Sequence, residues 1–195
     1  MKKSLILLSI IASLASFNAY AKTEGNYVGV SILRSSQDSK YNPEEGYGKF
    51  DDSSIGFGLD YNHALNFNDF FVAPGVFAEK IGTKAKDSDG DNFSLDYRYG
   101  AKLNIGYDIV DNFAVYLTNG LSATVGKVDW KSFDLKKSST ELDYFYGAGV
   151  AFKVNKDIAV NLEYNTQKSN FKTPSEAQKA EAKLNMFKLG VSYNF

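Results

Sequence analysis

The most informative absences in this sequence are cysteine and long apolar runs. The 195 residues contain no Cys, which excludes a disulfide framework and a thiolate metal site and leaves the protein unharmed by an oxidising compartment. Beyond the N-terminal segment there is no stretch of about twenty apolar residues, so the chain is not a helical membrane protein. The length fits one domain.

An excess of positive charge is also missing. Lys and Arg number 22 against 23 Asp and Glu, which gives a formal net charge of −1. This balance lacks the basic footprint of a nucleic-acid-binding protein. Aromatic residues, by contrast, are plentiful at 15%, although the mean hydropathy is only −0.30. Such a combination suits a chain whose apolar residues alternate with polar ones.

The first 21 residues have the pattern of a secretory signal peptide. Lys2 and Lys3 precede an apolar stretch, and the segment 19–21 reads Ala-Tyr-Ala, a small-residue cleavage site. An uncleaved membrane anchor is the alternative, but the apolar run is too short to span a core of about 30 Å. We therefore expect residues 1–21 to be removed and residues 22–195 to form the folded domain.

Within the C-terminal fourteen residues, the last nine alternate between apolar positions and polar or small ones. Side chains of a strand point to opposite faces with a period of two, so this pattern predicts a strand with one apolar and one polar face. The apolar positions are Phe187, Leu189, Val191, Tyr193 and Phe195.

The same alternation recurs upstream and predicts eight strands. They lie near residues 26–35, 53–65, 70–82, 93–109, 113–127, 140–154, 158–168 and 181–195. The connections after the second, fourth and sixth strands are short, and those after the other strands are long, at 36–52, 83–92, 128–139 and 169–180. Short turns at one rim and long loops at the other are typical of an outer-membrane barrel, with the turns and both termini in the periplasm.

Charged residues are confined to one face of the predicted strands, which argues against a soluble sandwich. In the fourth strand nine apolar residues, Phe93 to Ile109, share the outer face. If Ile109 pairs with Phe113 and Val154 with Ile158, apolar residues also meet across the turns. The inner face then carries charges of both signs that can neutralise one another. The basic members are Arg98, Lys102, Lys153 and Lys188, and the acidic ones include Asp60, Glu79, Asp96, Asp108, Asp143 and Glu163.

These features together resemble the small eight-stranded outer-membrane barrel superfamily, which includes OmpX, the transmembrane domain of OmpA and the opacity proteins. The resemblance rests on the cleavage site, the four hairpins and the terminal aromatic strand. It implies an all-β, eight-stranded antiparallel up-and-down transmembrane β-barrel in the bacterial outer membrane. It further implies that outer-membrane lipids surround the barrel and that the barrel-assembly machinery reads the C-terminal strand.

Catalytic and metal-binding patterns are weak. A hydrolytic barrel would need His, Ser and acid groups converging at the loop rim, whereas the single histidine, His63, is predicted at the turn rim on the apolar face. The acidic segment 87–92 has a calcium-loop composition, but Gly90 and Arg98 stand at the wrong positions for an EF-hand. We expect no enzymatic activity, no cofactor and no metal.

Two functional classes remain. The first is a surface-exposed structural or interaction protein, whose barrel holds the long connections outside the cell for adhesion to a host-cell or matrix protein, for immune variation or for envelope integrity. Aromatic residues of these connections are the candidate contacts because Trp and Tyr often carry binding energy. The second is a small porin-like channel. An eight-stranded barrel is just wide enough to be filled by its own side chains, and large rings of the inner face, such as Phe77 and Phe145, favour a filled interior. The candidate contacts are Tyr41, Tyr47, Trp130, Phe133 and Phe171.

Overall fold

A computed structural model describes residues 22–41, 49–86, 92–130, 135–172 and 179–195. Residues 1–21 lie outside these ranges, so the signal peptide stays a prediction. The described chain is entirely β-structure, in eight strands: β1 (Gly25–Tyr41), β2 (Lys49–Phe67), β3 (Phe70–Lys86), β4 (Asn92–Val110), β5 (Phe113–Trp130), β6 (Leu135–Lys153), β7 (Ile158–Lys172) and β8 (Lys179–Asn194). None of the described residues forms a helix long and apolar enough to cross a membrane.

The strands form a closed antiparallel barrel in sequence order, which confirms the predicted fold class. β1 closes the barrel against β8, with Val30 opposite Val191. The start of the described chain at Lys22, the C-terminal Phe195 and the three short connections lie at one end, called here the turn end. The strand ends that flank the four longer connections lie at the other end, called the loop end.

The exterior carries a continuous apolar belt, as the alternation predicted. Val30 of β1 is 56% exposed and Leu117 of β5 is 64% exposed, so these side chains have no protein neighbours to cover them. A belt of this kind on a closed barrel is the surface that hydrocarbon covers. The five C-terminal positions belong to it: Phe187, Leu189, Val191, Tyr193 and Phe195.

Every strand but β4 and β8 is longer than predicted by three or more residues at the loop end. β1, for example, continues from the expected Ser35 to Tyr41, and β7 from Lys168 to Lys172. The apolar and polar alternation stops where the outer face leaves the belt, because outward residues such as Arg34 need no longer be apolar. The ladder itself continues, so the alternation marks the extent of the belt and not the end of the strand.

The predicted outer face of β4 is wrong at its first two apolar positions. Phe93 and Leu95 are 8% and 0% exposed and point into the barrel, whereas Tyr97 is 50% exposed and points out. The cause is a β-bulge between Leu95 and Tyr97, which places Asp96 opposite no residue of β5. One extra residue reverses the side-chain parity beyond it.

The β4–β5 turn also differs from expectation. Val110 and not Ile109 lies opposite Phe113, because the register shifts between Asp108 and Val110. The β6–β7 turn is as predicted, since the Val154 amide donates a 2.8 Å hydrogen bond to the Ile158 carbonyl.

At the loop end the barrel wall divides into two four-stranded sheets. Within the described ranges, β2 pairs with β3 only as far as Phe57 opposite Lys80, and β6 pairs with β7 only as far as Phe145 opposite Gln167. The other six pairs of neighbouring strands continue past these levels. One sheet therefore contains β7, β8, β1 and β2, and the other contains β3, β4, β5 and β6.

Leu189→Arg tests the position of the belt. Leu189 is 57% exposed in the middle of the outer face of β8. A cation at the midplane of the hydrocarbon is expected to lower the free energy of unfolding in lipid by about 2–4 kcal/mol. The matched control is Ser36→Arg, which lies beyond the belt on the neighbouring strand and should cost about 0–1 kcal/mol. Equal losses, measured by denaturant titration, would show that Leu189 does not face hydrocarbon.

Candidate functional site in the barrel interior

The interior contains a layer of buried ion pairs about halfway along the barrel. Glu79 and Arg98 are direct cross-strand partners, and so are Glu163 and Lys188. The Arg98 Nη1 atom lies 3.0 Å from Glu79 Oε2, and the Lys188 Nζ atom lies 2.5 Å from Glu79 Oε1 and 2.9 Å from Glu163 Oε1. All four residues are at most 7% exposed. One inward residue from each of four strands, β3, β4, β7 and β8, thus contributes to one connected network of ion pairs.

Two aromatic rings enclose the guanidinium of this layer. The Arg98 Cζ atom lies 4.2 Å from the Phe145 ring centroid and 4.9 Å from that of Phe77. Arg98 Nε and Nη2 are buried and have no hydrogen-bond acceptor among the described residues. The ring faces supply the compensating electrostatic attraction for a cation that is removed from water.

A second group of ion pairs lies between this layer and the turn end. Lys102 Nζ is 3.2 Å from Asp60 Oδ2, and Lys153 Nζ is 3.2 Å from Asp108 Oδ1. Asp108 also accepts hydrogen bonds from the backbone amide of Thr23, at 2.8 Å, and from its hydroxyl, at 2.6 Å. Asp108 thereby ties the start of the described chain to the barrel interior.

One of the predicted interior acids does not belong there. Asp96 pairs with Lys127, whose side chain is 56% exposed on the outer face of β5. The β4 bulge explains the error, because it turns Asp96 away from the interior. The five residues proposed from sequence as a charge network, Arg98, Lys102, Lys153, Glu163 and Lys188, are all placed inside and ion-paired.

Charges balance within the interior ion pairs. The four cations, Arg98, Lys102, Lys153 and Lys188, match four carboxylates, Asp60, Glu79, Asp108 and Glu163. Opposite charges at these distances cancel most of each other's field, so these eight groups do not form the ring of one sign that selects ions in a channel.

A small cavity of about 90 Å³ lies on the turn side of the layer. Asp60, Lys102 and Asn104 line it, and so does Tyr116, whose hydroxyl donates to Glu163 Oε2 at 3.3 Å. The volume corresponds to about three water molecules in the liquid. The Asn104 Oδ1 atom is buried and has no partner among the described residues, which suits a site for water.

Large rings occupy space that glycines leave inside the wall. The Phe71 ring lies against Gly106, and the Phe145 ring lies against Gly120, where an added Cβ atom would clash with them. Both rings are at most 3% exposed. This agrees with the interpretation of the inner face as a filled interior.

On the loop side of the layer the interior contains an apolar cluster. One cluster of buried side chains joins the two sheets, and Leu95 and Met186 within it are 0% exposed. Sequence reasoning missed this cluster, because it assigned Phe93 and Leu95 to the outer face. Glutamine side chains also link the sheets: Gln37 accepts from Thr83 at 2.6 Å, and Gln167 accepts from Ser122 at 2.7 Å. The cluster, called here the loop-side plug, consists of Ile81, Phe93, Leu95, Ala182, Leu184 and Met186.

The candidate partner contacts lie at or beyond the strand ends of the loop end. Tyr47 and Phe133 fall outside the described residues. Tyr41, Trp130 and Phe171 were predicted in loops, but their backbones belong to the ends of β1, β5 and β7. The ladders reach these residues because they continue past the apolar belt.

His63 lies on the outer face near the turn end, as expected. Its Nδ1 atom is 2.9 Å from Asn26 Oδ1, and the Tyr61 hydroxyl donates to the same oxygen at 2.8 Å. In the part of the chain that the structure describes, no group of three His, Asp or Glu side chains is arranged to hold a metal ion.

A family model for the outer membrane protein beta-barrel domain matches residues 4–195. The chain belongs to this family. Its place in the outer membrane follows, and the predicted resemblance is confirmed. No curated protein matches the chain.

Solved structures of low sequence identity share the fold. The attachment invasion locus protein Ail of Yersinia pestis is 20% identical, with a TM-score of 0.51 over 89% of this chain and 100% of that one. Neisserial surface protein A is 17% identical, with a TM-score of 0.55 over 88% and 100%. OprG of Pseudomonas aeruginosa is 13% identical, with a TM-score of 0.53 over 91% and 99%.

Lys188→Met is expected to destabilise the barrel more than Glu163→Gln. Loss of Lys188 removes the cation that bridges two buried carboxylates, whereas after Glu163→Gln the ammonium keeps Glu79. Breaking such a buried network costs on the order of 3–5 kcal/mol. A double-mutant cycle in denaturant should show that the two losses are not additive. The control is Lys156→Gln, in the exposed β6–β7 turn, and additive losses would show that the two residues are uncoupled.

Proposed function

We propose that this protein is a non-conducting outer-membrane barrel that holds its loop end at the cell surface for attachment to a host-cell or matrix molecule. The observation that carries the proposal is the blocked interior. A water-filled pore exposes its lining, yet Arg98 in the charge layer and Leu95 and Met186 in the loop-side plug are 0% exposed. The regions left to meet a partner are therefore outside the barrel.

The arrangement of the chain in the envelope is part of this proposal. The turn end, with both termini, faces the periplasm, and the loop end faces outward, as the lengths of the connections favour. The barrel-assembly machinery reads the outward aromatic and aliphatic positions of the last strand, Phe187 to Phe195. No catalytic role is assigned, because the single histidine contacts Asn26 at the turn end of the outer face.

Attachment is supported by one structural relative, the attachment invasion locus protein Ail. Ail of Yersinia pestis has also been solved in complex with sucrose octasulfate, a heparin analogue, in a structure 22% identical to this chain with a TM-score of 0.53. A sulfated matrix polysaccharide is therefore a reasonable first ligand to test. Contacts would come from the loop end, where Tyr41, Tyr47, Trp130, Phe133 and Phe171 stand in or beside the connections.

A small porin-like channel is the second candidate, and the cavity on the turn side favours it. The cavity of about 90 Å³ stops at the charge layer, however, and the loop-side plug lies beyond that layer. Planar-bilayer recordings are expected to show no large, steady single-channel currents. Such currents from the intact protein would replace the attachment proposal with the channel.

Loop replacement tests attachment directly. We expect a variant in which short Gly-Ser turns replace residues 42–48 and 131–134 to fold, because the strand ladders end outside these segments. Folding is checked by the difference in gel migration between boiled and unboiled samples. The variant should lose binding to host cells or heparin-coated beads. A control with Gly-Ser at 155–157, in a turn at the other end, should bind as the original does. Attachment that survives the loop replacement would leave a purely structural barrel.

A further inference from the structure

The outer faces of β7 and β8 place two lysines side by side at the loop end. Lys168 lies directly opposite Lys183 in the register, and both side chains are exposed. Like charges at directly opposed positions of neighbouring strands repel and destabilise the pair unless an anion lies between them. The position therefore calls for a negatively charged partner.

The nearby carboxylates do not satisfy these lysines. Asp38 of β1 lies opposite Lys183, and Glu181 of β8 occupies the next outward position beyond it. Among the described residues neither acid forms an ion pair with Lys168 or Lys183, since no such contact lies within 4.0 Å. The two ammonium groups are thus left to bind an anion from outside the chain.

Below the lysines, the outer face offers hydrogen-bond donors. The Asn185 Oδ1 atom accepts hydrogen bonds from the Thr166 hydroxyl, at 2.9 Å, and from the Tyr164 hydroxyl, at 3.1 Å. These two bonds fix the orientation of the amide. They leave Asn185 Nδ2 as a donor that has no partner among the described residues.

Next to these donors the same two strands are apolar. Tyr164 packs against Phe187 with ring centroids 4.8 Å apart, and Leu162 lies opposite Leu189. Toward the loop end, the outer face of these two strands is therefore first aliphatic, then aromatic. Hydroxyl and amide groups follow, and the two lysines come last. An anionic amphiphile has the same order of groups along its length, from acyl chain to ester to phosphate.

The height of Lys168 and Lys183 above the turn end agrees with binding of a lipid headgroup. Ten residues separate Ile158, at the start of β7, from Lys168, which corresponds to about 33 Å along a strand that rises 3.3 Å per residue. A strand tilt of about 40° reduces this to about 25 Å, the height of the apolar band of an outer-membrane barrel. The lysines accordingly stand where lipid headgroups begin.

We propose that Lys168, Lys183 and Asn185 form a binding site for the phosphate-bearing headgroup of an anionic lipid in the leaflet at the loop end. The two ammonium groups bind the phosphate, and Asn185 Nδ2 donates to an ester or hydroxyl oxygen below it. The aromatic pair Tyr164 and Phe187 contacts the start of the acyl chains. The site is independent of the attachment proposal, since it lies on the wall of the barrel.

Native mass spectrometry of the folded protein in detergent tests the site, with phosphatidylglycerol as the anionic lipid and phosphatidylcholine as the zwitterionic one. The protein should retain phosphatidylglycerol in preference to phosphatidylcholine. Lys168→Gln and Lys183→Gln should each weaken its retention about fivefold, which is the equivalent of about 1 kcal/mol for a basic residue near an anionic surface. The double variant should lose the preference.

Three further samples separate a specific site from general charge attraction. Asn185→Leu should weaken phosphatidylglycerol retention although the net charge is unchanged, while Lys156→Gln at the turn end should leave it unchanged. Inorganic phosphate at the same concentration should not displace the lipid. Four results would each overturn the proposal. These are equal retention of both lipids, an unchanged preference for phosphatidylglycerol in the double variant, a loss of retention in Lys156→Gln equal to that of the site variants, and displacement of the lipid by inorganic phosphate. Heat-dependent gel migration verifies that every variant is folded.

Discussion

The fold depends on one constraint, that backbone amide and carbonyl groups in hydrocarbon must all be paired within the protein. The closure of β1 on β8 satisfies it around the whole belt. The constraint ends where water begins, and the wall divides into two sheets at that level. The β2–β3 ladder stops at the outward-facing Lys80, and the β6–β7 ladder stops one residue before Lys168, also outward-facing. Unpaired strand edges are tolerated there because water can satisfy them.

A closed barrel of eight strands then creates a second problem, since its interior must be filled without unpaired charge. This chain uses different solutions at different levels. Near the middle, shared carboxylates and ring faces compensate the cations, with Glu79 bonded to both Arg98 and Lys188. Toward the loop end the two sheets pack apolar side chains against each other, and Gln37 and Gln167 link them across the gap. The interior therefore resembles a soluble protein core that happens to be surrounded by lipid.

Alternation was sufficient to predict the strand number, the closure and the inward position of every charged residue assigned to the interior except Asp96. The expectation that charges are confined to the inner face is wrong, since Arg34, Lys80 and Lys168 face outward. Alternation could not reveal the β4 bulge, because a period-two pattern of apolar residues continues from Phe93 to Tyr97 although the faces exchange. Phe93 belongs to an interior cluster that includes residues of β8, and no local pattern records such long-range packing. Strand length was underestimated for a related reason, since beyond the belt the outer face of β1 and β7 becomes polar while the ladder persists. The pairing of Glu163 with Lys188 could be predicted because the two residues lie on neighbouring strands. That Glu79 pairs with both Arg98 and Lys188 became evident only from the three-dimensional structure.

The filled interior bears on where the proposed function is located. Inward side chains of the described barrel such as Arg98 and Met186 are 0% exposed, and for this reason we assign the proposed function to the loop end and the outer wall. On that wall most polar groups are explained by hydrogen bonds to neighbours, as for His63 and Asn26. Lys168 and Lys183 are different, since repulsion between them opposes the ladder that brings them together. The register that places Lys168 opposite Lys183 lowers the stability of the isolated protein. An anionic headgroup between the two ammonium groups would remove this loss, so the surrounding lipid would contribute to the stability of the fold.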